Sequence, residues 1–442
     1  MIRKIILSSF LLIHLFIFSQ VVPSNTVTFE IATKFTKNLT KNKCDSAYNF
    51  IDTAINKSYT ATYLQYIWKS LIDKYGEYKK ISKIREHSSI NHQVFYQDIT
   101  FKKGSIILKL SFTTDKLTGV HFLPANPKGK YINPTYDKKN YTEKEVIIPC
   151  TDGIRLPATL TIPNNISKPA IILLVHGSGP NDRDEKIYHN KPFKDISIGL
   201  ATLGIATLRY EKRTLEFEDE MVLKKDSITI YDETINDAVS AVNYLSLSDE
   251  IDAKKIFVLG HSLGGMCNPK IAKISGNVKG IIIMAGNARP LEDLIVEQVS
   301  TLLKQDSTNF QMKMTLNQIK YQVGVLHSDT FSLQTKKIYL PLSIPAKYWL
   351  SLRQYNQVNT AAVLNKPILV LQGERDYQVT MTDFNIWKSK CNKSTTNFKS
   401  YEKLNHLFME GKGKSTPSEY EKPNNVAFYV IEDIYNWVLN LK

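Results

Sequence analysis

From about residue 143 to the end of the chain, short apolar runs alternate with segments of helix length. This alternation constrains the fold more than any other feature. The runs are Val146–Ile148, Ala158–Ile162, Ala170–Val175, Ile205–Leu208, Ile256–Leu259, Gly280–Met284 and Pro367–Leu371. A strand that is apolar at every position is buried on both faces. Strands of that kind separated by helical segments predict an α/β fold, a mostly parallel sheet covered by helices. In such sheets chemistry collects at the carboxyl ends of the strands.

The chain of 442 residues has room for more than this one domain. Arg3 and Lys4 precede an apolar run from Ile5 to Phe18, short for a membrane span and of the length of a signal-peptide core. Residues 1–19 are therefore expected to be a signal peptide, cleaved near Gln20, with the mature protein exported and not stably inserted in the membrane. From Thr26 to about Tyr78 the apolar spacing is helical, as in Ala47, Phe50, Ile51 and Ala54. Strand-like alternation follows over Gln93–Phe101, Ser105–Phe112 and Gly119–Leu123, with Lys103-Gly104 as a hairpin turn. Residues 20–125 thus read as a small α+β accessory domain. The Pro- and Gly-containing, polar stretch 126–142 reads as a linker, and residues 143–442 as the α/β domain.

Three strand ends carry chemically informative residues. Ile256–Leu259 runs into Gly260-His261-Ser262-Leu263-Gly264-Gly265, a G-x-S-x-G turn between a strand and a helix. The glycines make room for a sharp bend that presents Ser262 as a nucleophile. Ala170–Val175 ends in His176-Gly177-Ser178-Gly179-Pro180. A tetrahedral intermediate needs two backbone N–H donors. One is expected from Leu263 and the other from this turn, at Ser178, with Gly179 as the alternative. Pro367–Leu371 ends in Gln372-Gly373-Glu374-Arg375-Asp376. Asp376 is expected to orient a histidine, with Glu374 as the competing carboxylate. If the chain order is Ser, Asp, His, the base follows Asp376, and His406 is the only histidine that does. His261 and His176 are expected to be structural.

With these strings in place, the region from about Glu143 onward resembles the α/β-hydrolase superfamily. It is most similar to exported bacterial carboxylesterases and dienelactone-hydrolase-like enzymes with a small N-terminal domain. The resemblance is carried by HGSGPNDRD at 176–184, RYEKR at 209–213, GHSLGG at 260–265, GERDYQV at 373–379 and NHLF at 405–408. It implies Ser262 as nucleophile, Asp376 as acid and His406 as base. Thr214 stands where that family often has glycine. Residues 287–366 form an insertion of about eighty residues with an amphipathic segment at Pro290–Leu303 and an aromatic cluster around Tyr348-Trp349. It reads as a helical cap over the site.

The expected activity is hydrolysis of a small-molecule carboxylic ester through an acyl-enzyme, with no cofactor and no metal. A peptidase or amidase with the same triad, and a non-catalytic binding protein on the same fold, are the alternatives. The net charge of +15 comes from scattered lysines, without a basic helix, so a nucleic-acid partner is not expected. Gly411–Ser415 resembles a phosphate loop, but Phe408 occupies the position of its first glycine. Asp182, Arg183, Asp184, Arg209 and Arg213 are expected to form a structural ion-pair cluster. Cys44, Cys150, Cys267 and Cys391 leave three pairings, or free thiols, open.

Overall fold

The structure, a computed structural model, describes residues 26–52, 60–89, 92–113, 115–125, 129–217, 221, 224–307 and 309–441. The signal-peptide reading falls outside these residues. The chain divides into two compact units, one ending at Pro127 and the other beginning at Lys128.

In the first unit, helices Thr26–Thr40, Cys44–Tyr48 and Ala61–Tyr75 precede an antiparallel sheet. Its strands are β1 (Tyr78–Ile81), β2 (Arg85–Ser89), β3 (His92–Phe101), β4 (Ser105–Thr113) and β5 (Lys116–Pro124). β3, β4 and β5 form the expected meander, and β1 and β2 both pair with β3. Strands β1 and β2 are missed by the alternation pattern because YKKI and REHSS are short and mostly polar. The core is built where the apolar helix faces meet the alternate strand positions, with Phe35, Leu64 and Trp68 against Phe95, Phe101 and Leu110. The Trp68 and Phe101 rings lie 5.6 Å apart.

The second unit holds an eight-stranded sheet made of β6 (Tyr141–Pro149), β7 (Arg155–Pro163), β8 (Ile171–Val175), β9 (Ala206–Tyr210), β10 (Ile256–His261), β11 (Val278–Met284), β12 (Ile368–Gly373) and β13 (Thr396–Tyr401). The spatial order is β13-β12-β11-β10-β8-β9-β7-β6. From β9 to β13 all pairs are parallel, whereas β7 runs antiparallel to both β9 and β6. The core strands IILLV and ILVLQG are buried at every position, as double-sided burial requires. Strand β6 begins at Tyr141, earlier than its apolar run, because Glu143, Lys144 and Glu145 on this edge strand face solvent and give no apolar signal. Residues before it do not hang free. Tyr131 donates to Asp195 at 2.7 Å, and the Tyr136 ring stacks on Phe428 at 4.8 Å.

The strand order fixes where a site can form. After β8 the chain moves to one side for β9 and then returns to the other side of β8 for β10. The carboxyl ends of β8 and β10 therefore flank the point where connections diverge, which leaves a crevice there. Between β11 and β12 the expected insertion is helical, with helices Leu291–Gln305, Phe310–Leu326, Ala346–Arg353 and Gln357–Val363. All four cysteines are buried free thiols. No helix among the described residues is long and apolar enough to cross a membrane.

Candidate active site

Ser262 stands between β10 and the helix Leu263–Ile274, with φ +54° and ψ −118°. This backbone conformation is costly for a residue with a Cβ, by roughly 1–3 kcal/mol, and persists only where the surroundings enforce it. The enforcement is visible. The Ser262 N–H donates to Met284 O at 2.9 Å, and its carbonyl accepts from Met266 N at 3.0 Å. A Cβ on Gly264 would collide with the carbonyl oxygens of Val175 and His176, and one on Gly260 would collide with the backbone of Gly264. Strand β8 can approach the helix this closely because Gly264 lacks a side chain, and β10 can bend this sharply into the helix because Gly260 does.

His406 lies on the loop after β13 and Asp376 on the loop after β12. His406 Nδ1 and Asp376 Oδ2 are 2.6 Å apart, and both residues are buried. The aspartate is held on its other side as well. Its Oδ1 accepts from Gln378 N (2.7 Å) and Val379 N (3.1 Å), and Oδ2 also accepts from Gln372 Nε2 (3.1 Å). Of the competing charges, Glu374 accepts from Ser400 Oγ at the surface. Arg375 pairs with Glu419 and the carbonyl of Gly413. The structure thus joins the expected acid to the expected base. Ser262 Oγ makes no hydrogen bond to His406, whose one ring contact of this kind among the described residues is with Asp376.

His261 links the elbow to the histidine loop. Its Nε2 lies 2.9 Å from His406 O, and the two rings are 4.6 Å apart. Its Nδ1 lies 2.9 Å from Glu185 Oε2. The carbonyl at Nε2 and the carboxylate beside Nδ1 both favour the protonated, cationic ring. Burial pushes the His261 pKa down, but Glu185 outweighs it and raises it. Burial pushes Glu185 up, but His261 holds it below the usual carboxylate range. His176 is a contrast. It is wholly buried against Phe193 and Tyr210, and burial lowers its pKa to about 4, so it is neutral.

The Gly177–Gly179 turn after β8 sits against the elbow. A Cβ on Gly177 would lie 3.2 Å from Ser262 Cβ. Two of its three N–H groups are committed, Gly177 N to Glu185 Oε1 (2.6 Å) and Gly179 N to Glu233 Oε1 (3.2 Å). The Gly179 N–H thus already has an acceptor, whereas the Ser178 N–H has no hydrogen bond. Leu263 N–H, in the first turn of its helix, has no intrahelical acceptor either. The charged strings are interlocked around this turn. Arg183 pairs with Glu145 and Glu211, Arg209 with Asp184 and Glu143, and Arg213 with Asp237 and Asp152. Thr214 lies in a short helix, Arg213–Glu216, where no glycine is needed, and its hydroxyl donates to Gly179 O. Among the described residues no group of three or more His, Cys, Asp or Glu is arranged to hold a metal ion.

Glu185, Lys212 and Glu233 are residues to which reading the chain alone gave no role, and Tyr348 was noted only as part of an aromatic cluster. Glu185 follows the HGSGPNDRD string directly, and Lys212 lies inside RYEKR. For the Glu185–His261 pair the effect of pH has a definite sign. Glu185 contributes stability above its unfolded pKa near 4.3, lost as pH falls through its lowered folded value. His261 contributes stability below about pH 6.5, lost as pH rises through its raised folded value. Glu185→Gln keeps an acceptor for Gly177 N–H but leaves the imidazolium unpaired. It is expected to destabilise the protein by about 3 kcal/mol. Thermal melts should show the largest gap from wild type between about pH 4.3 and pH 6.5, closing at higher pH. A gap that does not vary with pH would show that His261 is not charged.

The match to known proteins extends over both units. Residues 32–119 match the family described as Protein of unknown function (DUF3887). Over 411 residues the sequence is 34% identical to Esterase EstD of Thermotoga maritima, covering 92% of this chain and 94% of the relative. Solved structures similar to it include the esterase domain of a Rhodothermus marinus protein, at 19% identity and a TM-score of 0.40 over 67% of this chain and 97% of that one. Another is Est1E from Butyrivibrio proteoclasticus with ferulic acid bound, at 16% identity and a TM-score of 0.43 over 67% of this chain and 98% of that one. An alignment at this identity over nine-tenths of both sequences settles the kinship: the chain belongs to the same esterase family as EstD.

Proposed function

We propose that the second unit is a serine carboxylesterase in which Ser262 is the nucleophile, His406 the general base and Asp376 its acid partner. The observation that carries this reading is the 2.6 Å contact between His406 Nδ1 and Asp376 Oδ2, with the His406 loop held by His261, the neighbour of Ser262 in the strained elbow, whose Nε2 lies 2.9 Å from His406 O. Kinship with EstD supports ester hydrolysis as the reaction class.

The chemistry follows from the groups present. With Nδ1–H held by Asp376, Nε2 of His406 is left as the acceptor and takes the Ser262 proton as Oγ attacks the ester carbonyl. The negative charge on the carbonyl oxygen falls to the N–H groups of Leu263 and Ser178. The carbon–oxygen bond to the alcohol then breaks, and His406 returns the proton to the departing oxygen. Water, deprotonated by the same imidazole, hydrolyses the acyl-enzyme.

The helical insertion would serve as the cap. Tyr355 OH donates to Met266 O in the elbow helix at 2.7 Å, and Tyr348 OH reaches Glu233 at 2.6 Å, which ties the insertion to the site. Arg3, Lys4 and the run Ile5–Phe18 support export of this activity.

The test is a panel of p-nitrophenyl esters of increasing acyl length set against aminoacyl p-nitroanilides, with purified protein. Short-chain esters are expected to turn over far faster than any anilide, and a fluorophosphonate probe is expected to label Ser262. Anilides cleaved as fast as esters would point to the peptidase. No turnover and no labelling would point to a binding protein.

A further inference from the structure

Behind the turn Gly177–Gly179 lies a buried ammonium. Lys212 is 1% exposed. Its Nζ donates to Gly177 O at 2.7 Å and to Glu233 Oε1 at 2.7 Å. The carbonyl it touches belongs to the same peptide unit as the N–H of Ser178. The C–N bond between them is conjugated, so a cation on the oxygen draws electron density from the nitrogen and makes its N–H a stronger donor. Ser178 N–H is the one donor of this turn that no other group occupies.

A purely mechanical brace does not need this charge. The side-chain amide of Asn181 already reaches the carbonyls of Gly177 (3.3 Å), Ser178 (3.2 Å) and Gly179 (3.2 Å). Burying an ammonium is costly, and it persists only with a close counter-ion. Glu233 supplies that counter-ion. Burial pushes its pKa up, but Lys212 holds it below the usual carboxylate range. Its Oε1 also receives Gly179 N–H, and its Oε2 receives Tyr348 OH at 2.6 Å. Tyr348 lies on the helix Ala346–Arg353 of the insertion. Insertion, carboxylate, ammonium and peptide thus form one continuous chain of contacts.

We propose that Lys212 is a positioning residue whose charge, set by Glu233 and locked by Tyr348 of the insertion, polarises the Gly177–Ser178 peptide and strengthens Ser178 N–H as an oxyanion donor. The proposal rests on the esterase reading above. Its effect belongs to the transition state, where the oxyanion exists, and not to ester binding.

Two variants of the full chain test it. Lys212→Met removes the charge and the donor, and Lys212→Gln keeps a neutral donor. The readouts are kcat and KM for a short-chain ester, the inhibition constant of a trifluoromethyl ketone that adds to Ser262 as an oxyanion, and the melting temperature. Loss of a whole oxyanion donor costs about 10²–10³ in kcat, so weakening one is expected to cost about tenfold in both variants. KM should stay within about twofold, and ketone affinity should fall in parallel with kcat. If Lys212→Met does not fold, Lys212→Gln decides alone. A folded Lys212→Gln with wild-type kcat and ketone affinity overturns the proposal, as does a loss confined to KM. Failure of the esterase reading looks different, because the wild type itself would then lack ester turnover and Ser262 labelling.

Discussion

Alanine at position 262 is expected to lower turnover of a short-chain ester by about 10⁴- to 10⁶-fold relative to wild type. On the proposed mechanism the variant loses the atom that would form the acyl bond, while the polarising groups around the carbonyl stay in place. Residual hydrolysis above the background in water is therefore expected. The fold should not suffer. Ser262 Oγ makes no hydrogen bond that the fold depends on, and alanine keeps the Cβ that the elbow already accommodates at φ +54°. A melting temperature within a few degrees of wild type would accordingly separate loss of chemistry from loss of structure. Wild-type turnover in the folded variant would end the assignment of Ser262 as nucleophile.

Asp376→Asn is expected to lower kcat by about 10⁴-fold with little change in size or shape. The reason is the tautomer of His406. Asp376 Oδ1 accepts from the backbone N–H groups of Gln378 and Val379, so the asparagine oxygen takes that position. Its amide nitrogen then faces His406 Nδ1, where the carboxylate oxygen had accepted a proton. Nδ1 must become the acceptor, and the ring proton moves to Nε2, the atom that should receive the Ser262 proton. The amide also meets the donating Nε2 of Gln372. Glu374→Gln is the matched control. That carboxylate touches only Ser400 at the surface, and kcat should stay within about twofold. Equal losses in the two variants would mean that Asp376 has no special relation to the base.

The division between what the chain announces and what only folding reveals follows the range of the forces involved. Strands such as IILLV and GIIIM are legible because burial on both faces leaves no polar position in them. The elbow is legible because backbone sterics act over the few residues Gly260–Gly265. His406 is legible through order alone, as the one histidine after Asp376. The edge strand β6, a third of it charged, is not announced in full, because an exposed edge needs no apolar run.

Charge partnerships are a different matter. Lys212 is one of 57 basic residues and Glu233 one of 42 acidic ones, and no spacing marks them as a pair. Glu185 and His261 are joined because β8 and β10 are neighbours in the sheet although β9 lies between them in the chain. That Asp376 and not Glu374 meets His406, and that Gly179 N–H and not Ser178 N–H meets Glu233, likewise depends on which neighbours the fold delivers. Local periodicity and backbone sterics were enough to announce the layered sheet, the serine turn and the candidates Ser262, His406 and either Asp376 or Glu374. The tertiary structure alone decided which buried charges meet, because a buried charge finds its counter-ion through strand order and not through distance along the chain.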